Sequence, residues 1–159
     1  MQLKAFKSTS ARSSYNETQP SPQFYRQAAM QAYLQGDWIN VDRCLTLAID
    51  TLRQTKAQTE LIQEHLRILL LICQDVIVFS QRNEQVNALA KTLDILTGWI
   101  KQDNLRQADK QSLLVALLTI ADQLQLLLQL QQRSLVVEKI KQHVFKLWMS
   151  YGRVDIDLH

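Results

Sequence analysis

Apolar residues recur at intervals of three and four along most of the chain, the pattern of helices that each turn one face toward a core. The first such segment opens at Ser21 and Pro22: a hydroxyl that can cap free amides, then a proline where a missing N–H costs nothing. Tyr25, Ala28, Ala29, Ala32 and Tyr33 mark its apolar face, and Gly36 suits the left-handed backbone that ends a helix. Asp37 caps a second helix whose buried face runs Trp38, Val41, Leu45, Ala48, Ile49 and Leu52, so the two helices form a hairpin. Thr55 with Gln58 three residues on has capping-box spacing and places a third helix from near Lys56; one continuous helix over residues 37–81 is the alternative.

From Leu61 to Phe79 apolar residues cover most of the helical circumference, which predicts a central helix enclosed by the others. SQRNE at Ser80 to Glu84 is the next break. Helix four follows, with Val86, Leu89, Ala90, Leu93, Leu96 and Ile100 on its face. The polar link KQDNLRQADK leads to helix five, on which Leu113, Leu117, Ile120, Ala121, Leu124, Leu127 and Leu128 align. Within it LQLLLQLQQ alternates as a strand would but continues a helical face, and its length favours helix. Helix six begins after Arg133 and Ser134, buries Val137, Ile140, Val144, Leu147, Trp148 and Tyr151, and stops at Gly152. The expectation is an all-α fold: a compact bundle, or tetratricopeptide-like stack, of about six antiparallel helices. Residues 21–152 form one helical domain, 1–20 a flexible, disordered tail too polar to offset its ordering, and 153–159 a C-terminal tail whose RVDIDLH alternates without a strand to pair with.

Composition agrees. Only 3 Gly and 2 Pro interrupt a chain rich in Gln, Leu, Ala and Lys, which favours helix over sheet. A 47% hydrophobic content is too apolar for a disordered protein, and a net charge of +3, with both signs mixed along the chain, supplies no strong field to gather nucleic acid. Cys44 and Cys73 sit in apolar helical stretches, read as small buried hydrophobes, and suit a reducing cytoplasm. The N-terminus lacks a signal-peptide apolar run, and Leu66–Phe79, taken as the most apolar stretch, is interrupted by Gln74 and Asp75 and falls short of a transmembrane span.

No catalytic constellation emerges. Gly36, Gly98 and Gly152 are isolated, so no phosphate-cradling loop exists; His65, His143 and His159 lack metal-ligand spacing; serines and threonines are explained as caps. Asp103 and Asp109 fall in or beside the polar link, where a solvated surface accounts for them. No cofactor or metal is expected. Lys139, Lys141, His143 and Lys146 make the last helix the most basic, a stripe usable by nucleic acid or an acidic membrane, although a solvated outer face explains it as well. Phe145 and Trp148 fall closer to the apolar side and read as core.

The stretch YRQAAMQAYLQGDWINVDRCLTLAID, within residues 25–53, resembles a tetratricopeptide unit. Tyr25, Ala28, Ala29 and Ala32 stand where that family packs its first helix, Gly36 and Asp37 at its turn, and Val41, Leu45 and Ala48 in its second helix, while Arg53 replaces the usual proline. VDRCLTLAIDTL, LRILLLICQDVIVF and NEQVNALAKTLDILTGWIKQ together resemble the helix order of flagellin-type export chaperones, which end in a leucine-rich helix with a tryptophan, here Trp99. Both resemblances imply protein binding. The expected function is a non-enzymatic, cytoplasmic adaptor or chaperone-like module holding a partner's amphipathic helix or peptide, with Tyr25, Tyr33, Trp38 and Trp99 as contact residues. Two alternatives stay open: a nucleic-acid accessory protein using Lys139, Lys141 and Lys146, or a structural subunit of a larger complex; a homo-oligomer is also open.

Overall fold

The structure is a computed structural model that describes residues 20–55 and 60–152. The tails expected at 1–20 and 153–159 lie outside the described residues except for Pro20, as does Gln58. Among the described residues the chain is all-helical, with no strand: α1 (Pro22–Leu34), α2 (Trp38–Arg53), α3 (Ile62–Phe79), α4 (Arg82–Ile100), α5 (Gln107–Leu130) and α6 (Ser134–Tyr151).

The helices assort into two compact units. One comprises the described residues up to 55 with Arg67–Ala88; the other comprises residues 60–66 and 89–152. The dividing points fall inside α3 and α4, so each of these helices contributes to both units.

In the first unit α1 and α2 pack as a hairpin. The Phe24 N–H donates to Ser21 Oγ at 3.2 Å, which caps α1 as the Ser–Pro pair predicts. Gly36 adopts φ +72°, and two crossing hydrogen bonds close the helix: Gly36 N–H to the Tyr33 carbonyl at 3.0 Å and Asp37 N–H to the Ala32 carbonyl at 2.9 Å. Asp37 then starts α2 by accepting from the Asn40 N–H at 3.2 Å. Ala29 and Ala32 of α1 and Val41, Leu45, Ala48, Ile49 and Leu52 of α2 are buried, as are Leu69, Ile72, Cys73 and Val76 of α3. Each fully buried leucine or isoleucine contributes about 1.5–3 kcal/mol. A buried carboxylate needs a partner, and Asp75 of α3 has a bidentate one in Arg26 of α1.

The boundary between α2 and α3 differs from the capping-box reading. Two helices are present rather than one, and α3 starts at Ile62, several residues beyond Lys56. Thr55 closes α2: its N–H donates to the Leu52 carbonyl at 3.1 Å and its hydroxyl to the Thr51 carbonyl at 3.0 Å. A threonine hydroxyl bonds backward to a carbonyl as readily as forward to an amide, so its spacing from Gln58 does not choose between them. Nor is α3 enclosed all round, since Gln63, Arg67 and Gln74 are exposed along it. At its C-terminal end the Gln85 amide donates to the carbonyls of Ile77, at 3.1 Å, and Ser80, at 2.9 Å, satisfying acceptors the helix leaves open.

In the second unit α5 packs against α6. Leu113, Leu117, Ile120, Ala121, Leu124 and Leu128 of α5 are buried with Val137, Ile140 and Leu147 of α6. Near the far end from the turn, the Gln107 amide donates to the Tyr151 carbonyl at 3.4 Å and Lys110 Nζ stands 5.2 Å from the Tyr151 ring centroid. Thr97 ties α4 to α6: its hydroxyl proton goes to the Leu93 carbonyl at 2.8 Å, so its oxygen accepts from His143 Nε2–H at 3.0 Å. Gly152 ends α6 at φ −92°, not in the left-handed region; glycine is needed there because a Cβ would meet the Trp148 carbonyl oxygen at 2.8 Å.

The solvated-surface reading of Asp109 is overturned. It is buried in the first turn of α5, accepting from Gln63 Nε2 at 2.8 Å and Arg106 Nε at 3.0 Å. These bonds hold its carboxyl below the usual range, the Gln63 bond most strongly and against the opposing effect of burial. Among the described residues one helix, α5, is long and apolar enough to cross a membrane by length and composition, rather than the Leu66–Phe79 run. A single helix of that kind is not the pattern of a multi-span membrane protein.

Candidate functional site

Two of the places where large apolar side chains reach solvent gather aromatic rings, one in each unit; Val115, Leu126 and Leu130 of α5 are exposed as well. In the first unit Gly36 and Asp37 reverse the chain so tightly that Tyr33, in the last turn of α1, meets Trp38, the first residue of α2, edge to face at 5.4 Å between ring centroids. Phe79, the last residue of α3, lies 4.7 Å from Tyr33 at a tilt of 56°. Pairs of this kind add about 0.5–1.5 kcal/mol beyond the area they bury. Trp38 is nevertheless 51% exposed, and Leu34, Ile39 and Val78 beside the cluster are more exposed still.

From Ile39 this surface continues into a shallow depression of about 430 Å³ lined by Ile39, Asp42, Arg43, Thr46, Leu47 and Glu84. Its floor is apolar, and its rim carries two carboxylates and one guanidinium. Asp42 Oδ1 is shielded from solvent without a hydrogen-bond donor. The arrangement can bury an apolar ridge and accept a hydrogen bond at its edge.

The residues singled out by sequence fall in different surroundings. Tyr33 and Trp38 come together at the exposed cluster, which corrects the placement of Trp38 on the buried face: a first helical residue has no preceding turn above it. Tyr25 is half-buried, edge to face with Phe24 at 5.6 Å, and has no part in the cluster. Trp99 is 3% exposed in the interior of the second unit, 6.1 Å from the His65 ring, and offers no surface. His65 is itself buried, and burial pushes its imidazole below the usual value against the opposing pull of Glu64. Phe79, Leu34, Ile39 and Val78 were missed, because period alone assigns the end residues of a helix to a face without saying that nothing lies beyond it.

The second exposed surface is α6. Lys139, Lys141 and Lys146 are exposed as expected, with Lys141 Nζ 3.6 Å from Glu138. The reading of Phe145 and Trp148 as core is overturned: Phe145 is 63% exposed, and Trp148 and Met149 are each 40% exposed. Among the described residues no group of three or more His, Cys, Asp or Glu side chains is placed to hold a metal ion. Comparison with family models, with curated proteins and with solved structures finds no match to this chain.

Proposed function

We propose that this protein is a non-enzymatic, cytoplasmic protein-binding module, an adaptor or chaperone-like holder of a partner's helix or peptide. The supporting observation is the exposed Tyr33–Trp38–Phe79 cluster with Leu34, Ile39 and Val78 around it and the depression beside Ile39. Aromatic groups held open by a rigid turn are the usual anchors of protein interfaces, because they bury large area at little cost in conformational freedom. The tetratricopeptide-like pattern of α1 and α2 agrees with peptide holding. An amphipathic helix laid across the cluster would place apolar residues on the three rings and a donor toward the Asp42 and Glu84 rim.

The test is affinity purification of the full chain from its native cell, with mass spectrometry, comparing wild type with a Trp38→Ser, Ile39→Ser variant. Ile39 is exposed and Trp38 half-exposed, so the variant gives up the Trp38–Tyr33 pair, about 0.5–1.5 kcal/mol, stays folded, and loses the partner. Burial of apolar surface releases few counterions, so wild-type capture changes little between low and physiological salt. A partner kept by the double variant, or one removed by nuclease and lost with rising salt, refutes the reading.

A further inference from the structure

We infer that the outer face of α6 is a docking surface for an anionic lipid membrane, separate from the aromatic cluster of the first unit. Leu135, Gln142 and Met149 are seven residues apart and form one line along the helix, opposite the buried Val137, Ile140 and Leu147 side. Leu135, at 80% exposed, and Met149 are its apolar ends, and Phe145 stands beside its middle. Lys139 and Lys146, again seven apart, run along one flank; Lys141 and Trp148 run along the other. Glu138 is the one carboxylate on this helix, and Lys141 already faces it. Lys139 and Lys146 therefore leave net positive charge along one flank of the crest, while Glu138 offsets Lys141 on the other.

That order of groups matches an interfacial helix: apolar and aromatic side chains enter the boundary between headgroups and acyl chains while lysine stems reach outward to phosphates. The partner must be anionic to complement the lysines and must also take up aliphatic groups. Nucleic acid meets the first condition and could stack on Phe145 and Trp148, but it has nothing to receive Leu135 and Met149. A partner helix packed ridge into groove on this crest would have to carry its own acidic residues in register with the lysines, and the concavity it would meet is a shallow depression bounded by Lys141, Gln142, Phe145 and Lys146. A fluid bilayer adapts to a convex ridge and supplies both chemistries.

The full chain should co-sediment with phosphatidylcholine vesicles in which about a third of the headgroups are phosphatidylserine, and not with pure phosphatidylcholine. Replacing Lys139, Lys141 and Lys146 by glutamine should weaken partition on the order of a hundred-fold, at roughly fivefold per lysine. Phe145→Ser with Met149→Ser should weaken it about tenfold with every lysine in place. Brominated acyl chains should quench part of the tryptophan emission in wild type and none of that part in Trp148→Phe. All of these side chains are exposed, so circular dichroism and melting temperature should match wild type and certify each variant as folded. The inference is overturned if the chain does not partition into anionic vesicles, if the lysine or the Phe145 and Met149 variant binds them as wild type does, or if a single-stranded oligonucleotide or polyglutamate competes the protein off vesicles at equal charge.

Discussion

The turn between α1 and α2 and the turn between α5 and α6 are closed by the same pair of hydrogen bonds and built from different residues. In the first, Gly36 takes the left-handed position, with Gly36 and Asp37 donating back to Tyr33 and Ala32. In the second, Gln132 takes it at φ +58°, with Gln132 N–H donating to the Gln129 carbonyl and Arg133 N–H to the Leu128 carbonyl, each at 2.9 Å. A side chain in that conformation costs roughly 1–2 kcal/mol, so the second hairpin is held in its turn by the helices on either side and not by turn chemistry. Asp37 also caps α2 with its carboxylate, whereas Arg133 makes no side-chain cap for α6. Local signals direct the first hairpin, and packing imposes the second.

If packing dominates both, their core leucines should be equally costly to truncate. Leu45→Ala in α2 and Leu117→Ala in α5 should each lose about 2–5 kcal/mol by denaturant unfolding, since both leave a cavity in a closed interior. A small loss at Leu117 alone would show that the second hairpin is loosely held. The turns should then separate the pair. Gly36→Ala should cost about 1–2 kcal/mol from backbone strain alone, because no atom lies within 4 Å of the added methyl group. Gln132→Gly should move the other way and raise stability by up to about 1 kcal/mol, relief of strain being partly offset by the freer unfolded chain.

The smallest effect is a slope with pH, and its source is the unit that holds α5 and α6. Folded His65 stays neutral where unfolded chains take up a proton, so stability should fall as the pH drops below about 6.5, and His65→Leu should flatten that slope. Asp109 acts lower: its contribution is complete above about 4 and is lost as the pH falls through its depressed folded value. Denaturant midpoints followed from neutral to acid pH would separate the two. Equal slopes in wild type and His65→Leu would remove His65 from the account.

Much of the fold was legible because its signals are local. Ser21 with Pro22, and Gly36 with Asp37, each do at their own positions what their chemistry favours, and most of the periodic positions of α4, α5 and α6 are buried, Ala90 and Trp148 being exposed instead. What was not legible depends on the neighbours a residue meets. Thr55 bonds backward, Asp109 is enclosed because Gln63 and Arg106 reach it, and Gln132 adopts a conformation no glutamine seeks. The candidate site suffered most from this. Trp38, Phe145 and Trp148 occupy plausible core positions by period, yet exposure depends on whether another element covers them, and period contains no such term.

Cys44 and Cys73 also give the first unit a chemical clock. Cys73 is buried in α3 and stays closed to reagent while the helices are packed, whereas Cys44 is half-covered, its thiol pushed above its ordinary value by burial, so it reacts slowly without an opening. Each modification of Cys73 then waits on an opening fluctuation. With fast reagent the labelling rate measures how often the helices part, and with slow reagent it measures the fraction of time they are apart. Because Cys44 is reached without an opening, mass analysis of singly labelled protein would give its rate as the internal reference against which the Cys73 opening is timed.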